Sequence, residues 1–316
     1  MSNFSLIGAA GYIAPRHMKA IKETGNSLIA AMDPNDSVGI IDTYFPDADF
    51  FTEFERFERH VEKLRRMKSD KMIDFVSICS PNFLHDSHIR FALRSGANAI
   101  CEKPIVLNPW NIDALKEVEK DSGKKIYTIL QLRVHPAILS LKKKIDESDS
   151  NRIFDVDLTY ITSRGNWYNY SWKGNEQKSG GVSTNIGVHF YDMLHFIFGQ
   201  VKENIVHYKD EKTASGYLEF ERARVRWFLS VNSENLPLEN KLNGQSTFRS
   251  ITIDNVEIEF SEGFTDLHTK IYTDILNGNG FGLEDNLVAI QTVYEIRNSK
   301  PIGLKGNFHP HLKLLK

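Results

Sequence analysis

Apolar positions in the first 130 residues form short runs that alternate with longer amphipathic stretches. The short runs are rich in branched and aromatic residues, whereas the longer stretches repeat their apolar positions at helical spacing. The predicted strands are Phe4–Ile7, Leu28–Met32, Ala48–Phe51, Phe75–Cys79, Asn98–Cys101 and Lys125–Leu130. The predicted helices are Ile13–Thr24, Glu53–Met67, His85–Ser95 and Pro109–Ser122. This alternation predicts an α/β domain over residues 1–130, a Rossmann-type doubly wound parallel sheet.

After about residue 150 the pattern changes to polar–apolar alternation with short connections, which is typical of antiparallel strands. The predicted strands are Phe154–Thr162, Asn204–Lys209, Thr213–Phe220, Arg224–Val231 and a hairpin over Thr247–Phe260 that turns at Asp254-Asn255. The predicted helices are Ile138–Ile145, Gly187–Phe198, Thr265–Leu276 and Leu283–Asn298. Residues 131–316 are therefore predicted to form an α+β domain on an open, mostly antiparallel sheet. Glu234–Ser246 is predicted as a polar loop, and the C-terminal tail is expected to wrap the surface.

One face of an open antiparallel sheet needs cover, so we expect a homo-oligomer, either a dimer or a tetramer. Composition adds little to this picture: 41% hydrophobic residues, 25% charged residues and a net charge of −2 are those of a globular protein. They give no sign of nucleic-acid binding. No apolar run approaches the roughly 18 residues of a membrane span, and no signal-type segment precedes the first strand.

The two cysteines, Cys79 and Cys101, both lie in apolar, strand-like runs. Such placement favours buried thiols over a disulfide framework. We therefore expect a cytoplasmic protein in a reducing compartment.

The turn after the first predicted strand reads Gly8-Ala9-Ala10-Gly11-Tyr12-Ile13-Ala14, which differs from the usual G-x-G-x-x-G dinucleotide fingerprint. It nevertheless follows a strand and opens a helix, so helix N–H groups are available to a pyrophosphate. We expect Gly8, Gly11, Tyr12 and Ile13 to bind the cofactor, with Gly11 nearest the phosphates. The alternative is a strand-to-helix turn with no ligand.

Asp33 ends the second predicted strand, at the distance from the turn where a carboxylate binds the ribose 2′-hydroxyl. A carboxylate there would repel a 2′-phosphate, so the predicted cofactor is NAD and not NADP. The alternative is a turn residue ahead of Pro34.

Polar residues also follow the next two predicted strands. Ser80, Asn82 and His85 come after the fourth strand, and Glu102 and Lys103 come after the fifth. Ligands of open parallel sheets bind outside the carboxyl ends of the strands. We therefore expect these five residues to line the cofactor site.

These stretches resemble the Gfo/Idh/MocA family of sugar oxidoreductases. The family's E-K-P motif stands here as Glu102-Lys103-Pro104, and its G-G-x-x-x-D-x-G-x-H-x-x-D motif stands as Gly180–Asp192. Asn185 departs from the first aspartate of that motif, which weakens any role for position 185 as a base. The glycine turn with its helical histidine stands as "GAAGYIAPRH". The resemblance covers essentially the whole chain and implies a Rossmann domain with NAD.

Segments outside the shared motifs resemble one subgroup of this family, the bacterial UDP-N-acetylglucosaminuronate 3-dehydrogenases of O-antigen (lipopolysaccharide) sugar synthesis. They include "LTYITSRGNWY", "SWKG", "ARVRWFLSV" and "EFSEGFTDLHT". This resemblance implies oxidation of the UDP-sugar at C3 and, in some members, reoxidation of NADH by 2-oxoglutarate. The alternatives are another sugar or cyclitol dehydrogenase of the family, or a non-catalytic NAD-binding sensor.

The resemblance places Lys103 and His189 beside the reacting carbon and implies a cis peptide bond before Pro104. Histidine titrates near neutral pH, so His189 is the expected base and Lys103 is expected to bind the reacting oxygen. The reverse assignment stays open. Asp192, one helical turn from His189, is a candidate for orienting its ring, and Arg133 is a candidate for reaching the cleft.

A UDP-sugar acid carries phosphate and carboxylate charges, so its site needs cations and an aromatic surface. The stretch "SRGNWYNYSWKG" supplies both. The expected substrate-binding residues are Arg164, Asn166, Trp167, Tyr168, Lys173, Asn185 and His189. The alternative is a loop anchored by buried tryptophans. No metal site is expected, because no cysteine or carboxylate cluster accompanies His85 and His88.

Overall fold

The computed structural model describes residues 1–258 and 265–315. The strands are β1 Asn3–Ile7, β2 Ser27–Met32, β3 Asp49–Phe51, β4 Phe75–Ile78, β5 Asn98–Cys101, β6 Ile126–Thr128, β7 Phe154–Thr162, β8 Val201–Lys209, β9 Thr213–Phe220, β10 Ala223–Ser230, β11 Thr247–Ile253 and β12 Val256–Glu257. The helices are α1 Ala14–Glu23, α2 Ile40–Tyr44, α3 Phe54–Arg66, α4 His85–Arg94, α5 Trp110–Ser122, α6 Pro136–Asp146, α7 Trp167–Tyr170, α8 Glu176–Ser179, α9 Gly181–Asn185, α10 Val188–Phe198, α11 Leu238–Leu242, α12 Leu267–Leu276 and α13 Leu283–Asn298.

The chain divides into two compact units, of which the first comprises Met1–Gln131 and Thr265–Leu287. Its parallel sheet has the strand order β3-β2-β1-β4-β5-β6. This is the order of a dinucleotide-binding doubly wound fold, and it reverses direction between β1 and β4. The predicted parallel α/β domain is therefore confirmed, and the carboxyl ends of β1 and β4 lie side by side where a ligand is expected.

Gly8 directly follows β1 and lies against the backbone that follows β4. Its φ is +91°, and a Cβ built on it would lie 2.6 Å from the carbonyl carbon of Cys79 and 2.8 Å from the amide nitrogen of Ser80. Both neighbours are backbone atoms, which cannot move aside without distorting the sheet. Only glycine therefore fits at the end of β1.

Helix α12 packs with the first unit, although the sequence placed this segment in the second domain. His268, Ile271, Tyr272 and Ile275 are all buried. Both His268 and Tyr272 form hydrogen bonds within the same unit. Burial of this face against the first unit explains the placement. The sequence analysis missed it because polarity and spacing along the chain do not reveal which sheet a helix covers.

The second unit comprises Leu132–Phe264 and Val288–Lys316, within the residues that the structure describes. Its sheet has the order β12-β11-β7-β10-β9-β8. Among the described strands of this second sheet, only β7 and β10 pair in parallel, so the mostly antiparallel prediction is confirmed. The predicted turn at Asp254-Asn255 is also confirmed, since both residues have positive φ, as type I′ hairpin turns require. The far end of that predicted hairpin, residues 259 and 260, lies outside the described residues.

The C-terminal tail covers part of one face of this second sheet. His309 Nε2 lies 3.1 Å from Thr159 Oγ1, and the His309 and Phe228 ring centroids are 5.8 Å apart. Leu312 is buried in the same segment. The tail is therefore packed against the sheet through specific contacts.

Several short helices were missed by the sequence analysis. They are α2, α7, α8, α9 and α11, each of four or five residues. A helix of one turn is too short to show an apolar period, and Leu238–Leu242 stands in a stretch predicted as a polar loop. Over the described residues, no helix is both long and apolar enough to cross a bilayer.

The crowding at Gly8 predicts a selective loss of stability. Gly8→Ala should lower the free energy of unfolding by about 3 kcal/mol, because a forbidden φ adds to overpacking. The matched control is Gly25→Ala, where φ is also positive but nothing lies within 4 Å of the added Cβ. It should cost only about 1 kcal/mol. Urea unfolding followed by circular dichroism measures both, and equal losses would contradict the crowding argument.

Candidate active site at the carboxyl edge of the parallel sheet

The glycine turn joins β1 to α1 at the edge where the strand order reverses. The N–H of Gly8 donates to the carbonyl of Met32 at 2.8 Å, and the N–H of Gly11 donates to the carbonyl of Gly8 at 3.0 Å. A Cβ on Gly11 would meet that same Gly8 oxygen at 3.0 Å. Tyr12 is 89% exposed, and half-buried Ile13 directly precedes α1. The turn therefore presents the N-terminus of a ten-residue helix to the edge, which suits an anion.

Asp33 lies beside this turn, as the sequence predicted. Its Oδ2 accepts a hydrogen bond from the N–H of Ala10 at 3.0 Å, and its Oδ1 accepts from the backbone and side-chain amides of Asn35 at 2.9 and 3.1 Å. The residue is 6% exposed. A carboxylate accepts about four hydrogen bonds, so acceptor capacity remains for a ligand hydroxyl. Asp33 thus also fixes the glycine turn, a role that the sequence did not reveal.

His85 connects the loops that follow β4 and β5. Its Nδ1 lies 2.7 Å from the carbonyl oxygen of Pro104, and its Nε2 lies 2.8 Å from the carbonyl oxygen of Ser80. Burial lowers its pKa, which the two carbonyls oppose. Ser80 also bonds the ring of His88 at 2.8 Å, and Asn82 is buried in the same loop. The predicted residues of both loops are therefore brought together within one unit, with His85 as the link.

The peptide bond between Lys103 and Pro104 is cis, as the family resemblance implied. Lys103 is half-buried at the end of β5. Burial lowers the pKa of its ammonium group, and the neighbouring Glu102 carboxylate opposes that shift. A lysine in this environment can bind or exchange a proton at a reacting oxygen.

Glu102 is buried beneath hydrogen-bond donors rather than open to the edge. Its Oε1 accepts from Nε2 of His17 and from Nε2 of His268, each at 3.0 Å. Its Oε2 accepts from the backbone N–H of Lys103 at 3.3 Å. Burial disfavours the charged form, but the hydrogen bonds from the two histidines hold the pKa of Glu102 well below its usual range. Glu102 is therefore a buried anion.

His17, His268 and Tyr272 are the residues that sequence reasoning missed. His17 entered the sequence analysis only as the helical histidine of the glycine-turn motif, and the structure shows that it is completely buried. Nothing local to His268 or Tyr272 signals a role, because their partners stand more than 160 positions away along the chain. The potential ligand atoms of His17, Glu102 and His268 lie within 4.8 Å of one another. The 3.0 Å contacts between them are ordinary hydrogen-bond distances.

In the second unit, His189 lies near the start of α10 and is half-buried. Its ring centroid is 4.2 Å from that of Phe190 and 6.3 Å from that of Tyr160. Asp192, the candidate for orienting this ring, binds Arg133 through Nη2 at 2.7 Å and through Nε at 3.1 Å. The sequence had suggested that Arg133 reaches a cleft. It instead forms a buried ion pair that anchors α10 within its own unit.

The stretch predicted to bind substrate folds as short helical turns. Arg164 and Asn166 are exposed, and Trp167 is 53% exposed, so the alternative of a fully buried tryptophan anchor does not hold for this residue. The Lys173 ammonium lies 4.3 Å from the ring centroid of Trp172 and 5.7 Å from that of Trp167. Such contacts hold a cation in place. The segment therefore presents cationic and aromatic groups together.

Asn185 and Tyr168 form a direct pair in the second unit. The side-chain amide of Asn185 donates to the Tyr168 hydroxyl at 2.8 Å. Burial raises the pKa of Tyr168, which this hydrogen bond opposes. The amide of Asn185 thus donates to the Tyr168 hydroxyl, whereas a carboxylate at position 185 could only accept a hydrogen bond from it.

Comparison with protein families supports the two-domain fold. Residues 2–129 match the profile of the Gfo/Idh/MocA oxidoreductase family, NAD-binding Rossmann fold. Residues 142–243 match the profile of the C-terminal alpha/beta domain of the same family. The two profiles follow the order of the two units along the chain.

Two crystal structures of the WlbA (WbpB) dehydrogenase from Thermus thermophilus are similar to almost the whole chain. The structure in complex with NAD and α-ketoglutarate is 50% identical, with a TM-score of 0.94, over 98% of this chain and 99% of that chain. The structure in complex with NAD and UDP-GlcNAcA is 49% identical, with a TM-score of 0.93 and the same coverage of 98% and 99%.

Curated relatives are more distant. Inositol 2-dehydrogenase from Rhizobium meliloti is 28% identical over 200 residues, which is 62% of this chain and 55% of that protein. The match spans 55% of the length of this relative and 38% of the length of each of the next two curated relatives.

The buried Arg133–Asp192 pair predicts a large stability effect. Asp192→Asn should lower the free energy of unfolding by about 3 kcal/mol, because it leaves a buried guanidinium without its counter-charge. The matched control is Asp157→Asn, which breaks the pair with Arg226 on partly exposed side chains. That change should cost less than about 1 kcal/mol. Urea unfolding of the two variants is the measurement, and similar losses would contradict the assignment.

Proposed function

The chain belongs to the Gfo/Idh/MocA oxidoreductase family, and from that premise we propose that it is an NAD-dependent UDP-sugar 3-dehydrogenase. The proposed reaction oxidises the C3 hydroxyl of UDP-N-acetyl-D-glucosaminuronic acid to the 3-keto sugar. The observation that carries this proposal is the likeness, at 49% identity over 98% of the chain, to a dehydrogenase bound to NAD and UDP-GlcNAcA.

The first unit fits NAD on its own geometry. The helix α1 begins at the sheet edge directly after the glycine turn, so its N-terminus is available to a diphosphate, and we assign Gly11 as the residue nearest the phosphates. Asp33 keeps acceptor capacity for a ribose hydroxyl and disfavours a 2′-phosphate. Bound NAD supplies the hydride acceptor. We assign Gly8, Gly11, Tyr12, Ile13, Asp33, Ser80 and Asn82 to its binding, with His85 and Glu102 holding the loops around it.

The chain's own residues manage the proton of the oxidised alcohol. We assign His189 as the base that takes the hydroxyl proton, since histidine titrates near neutral pH. Lys103 binds the reacting oxygen, and its lowered pKa suits it to share or relay that proton. In the reverse assignment Lys103 is the base and His189 the hydrogen-bond donor.

Recognition of the UDP-sugar is assigned to the second unit. The exposed Arg164 and Asn166, with Lys173 held against two tryptophan rings, offer donors for the diphosphate and the sugar carboxylate. Trp167 is 53% exposed, and its ring offers an aromatic surface. Tyr168 is buried beside it, and Asn185 fixes its hydroxyl. The support for this assignment is chemical: the negative diphosphate and carboxylate groups of the ligand complement the positive charges of Arg164 and Lys173.

We further propose that 2-oxoglutarate reoxidises the reduced cofactor. The Thermus thermophilus relative was crystallised with NAD and α-ketoglutarate, the same compound, at 50% identity to this chain. When 2-oxoglutarate accepts the hydride from NADH, it leaves as 2-hydroxyglutarate. The kinetics would then be ping-pong. The setting in O-antigen sugar synthesis, the cytoplasmic location and the homo-oligomer remain predictions.

A second candidate is a dehydrogenase of free sugars or cyclitols. The 28% identity to inositol 2-dehydrogenase over part of the chain favours it. Under this alternative, a UDP group would not affect substrate binding. A non-catalytic NAD-binding sensor is disfavoured by the presence of both Lys103 and His189.

The direct test is incubation of the purified protein with NAD and UDP-N-acetylglucosaminuronate, with and without 2-oxoglutarate. We expect the 3-keto sugar and NADH without the oxo acid, and sugar product in excess of cofactor with it. The sugar is followed by mass spectrometry and NADH by absorbance. Both are needed, because NADH that stays bound to the protein is missed when only released products are measured.

The matched control in that assay is Lys103→Ala. It should reduce product formation by about 100-fold or more while NAD still binds. Turnover of inositol or a free sugar, with none of the UDP-sugar, would replace the proposal by the second candidate. Normal turnover by Lys103→Ala would remove Lys103 from the mechanism.

A further inference from the structure

The Glu102 carboxylate accepts hydrogen bonds from three separate elements of the first unit, one of which is the Lys103 backbone itself. His17 comes from α1, His268 comes from α12, and the backbone N–H of Lys103 comes from the loop after β5. His17 and His268 are 0% and 3% exposed, and Glu102 is 7% exposed. A charged group so enclosed is stable only when donors satisfy it. Three donors converge here on one carboxylate.

The hydrogen positions in this cluster follow from chemistry. A carboxylate only accepts, so Nε2 of His17 must donate to Glu102. Burial lowers the pKa of His17, which favours a neutral ring whose Nδ1 accepts from the Tyr272 hydroxyl at 2.7 Å. Tyr272 has one proton to give, so the Ser77 hydroxyl donates to Tyr272 at 2.6 Å. Every hydrogen in this path is thus assigned with Glu102 as an anion.

We propose that His17 and His268 are positioning residues for the reaction, which act through Glu102 by holding its carboxylate as a fixed anion bonded to the Lys103 backbone. This inference rests on the proposed role of Lys103. Neither histidine needs to touch substrate or cofactor. Their effect is electrostatic and geometric: the anion fixes the N–H of Lys103 and favours a proton on its side chain.

The groups that face Lys103 from the surrounding elements define the expected direction of the effect. The Glu102 carboxylate favours the charged ammonium, whereas burial disfavours it. His85, from α4, faces the same segment through the Pro104 carbonyl. Loss of the Glu102 charge therefore leaves burial unopposed, and Lys103 should give up its proton at lower pH.

The test is the ionisation of Lys103, followed by its rate of acylation with acetic anhydride as a function of pH and read by mass spectrometry. Glu102→Gln keeps the size of the side chain and removes its charge. It should move the Lys103 titration to lower pH by about one unit or more. The pH–rate limb that Lys103 governs should move by the same amount.

Variants of His17 separate hydrogen bonding from bulk. His17→Leu removes the donor and should shift Lys103 in the same direction as Glu102→Gln. His17→Gln offers an amide donor near the position of Nε2 and should restore most of the wild-type titration. The matched control is His207→Leu, which removes a buried histidine of the second unit that bonds the Lys305 carbonyl. It should leave the Lys103 titration unchanged.

An unchanged Lys103 titration in a folded Glu102→Gln variant would overturn the proposal. Nitrogen NMR of the wild-type imidazole rings provides a test that needs no variant. Protonated Nε2 and unprotonated Nδ1 on His17 support the proposal, and a doubly protonated ring contradicts it. Stoichiometric zinc in the purified protein would also contradict it. The acylation, nitrogen NMR and zinc measurements need no UDP-sugar, so failure of the proposed substrate leaves them interpretable.

Discussion

The first unit depends on the need to satisfy the buried Glu102 carboxylate. An isolated ion in a protein interior costs several kcal/mol, so helices α1 and α12 must each deliver a histidine to it. The same carboxylate accepts the backbone N–H of Lys103. The Glu102 carboxylate therefore links the helix that follows the glycine turn to the Lys103 backbone and to helix α12, which stands far along the chain.

The close approach of backbones is the second constraint on the first unit, and it also holds separate loops of the sheet edge together. Gly8 allows β1 and β4 to end side by side, and His85 joins the carbonyls of Ser80 and Pro104 across the next pair of loops. The two contacts set the separation of three strand ends. The sheet edge therefore offers a preorganised surface to a dinucleotide, which reduces the ordering that binding would otherwise require.

Features encoded locally were readable from the sequence, and features encoded by distant contacts were not. Strand and helix periods, the turn at Asp254-Asn255 and the place of Asp33 directly after β2 are local or follow from strand order. The His17–Glu102–His268 cluster joins positions up to 251 residues apart, and nothing near His268 announces it. The Arg133–Asp192 pair shows the same limit, because either side chain alone is equally compatible with a ligand contact.

The proposed reaction transfers hydride from C3 of the sugar to NAD. The most direct measurement uses UDP-N-acetylglucosaminuronate that carries deuterium at C3, incubated with the protein and NAD, with mass spectrometry of the reduced cofactor. We predict that the deuterium appears in NADH and is absent from the keto sugar. Reduced cofactor without deuterium, alongside an oxidised sugar that retains it, would contradict the account and place the reaction at another carbon.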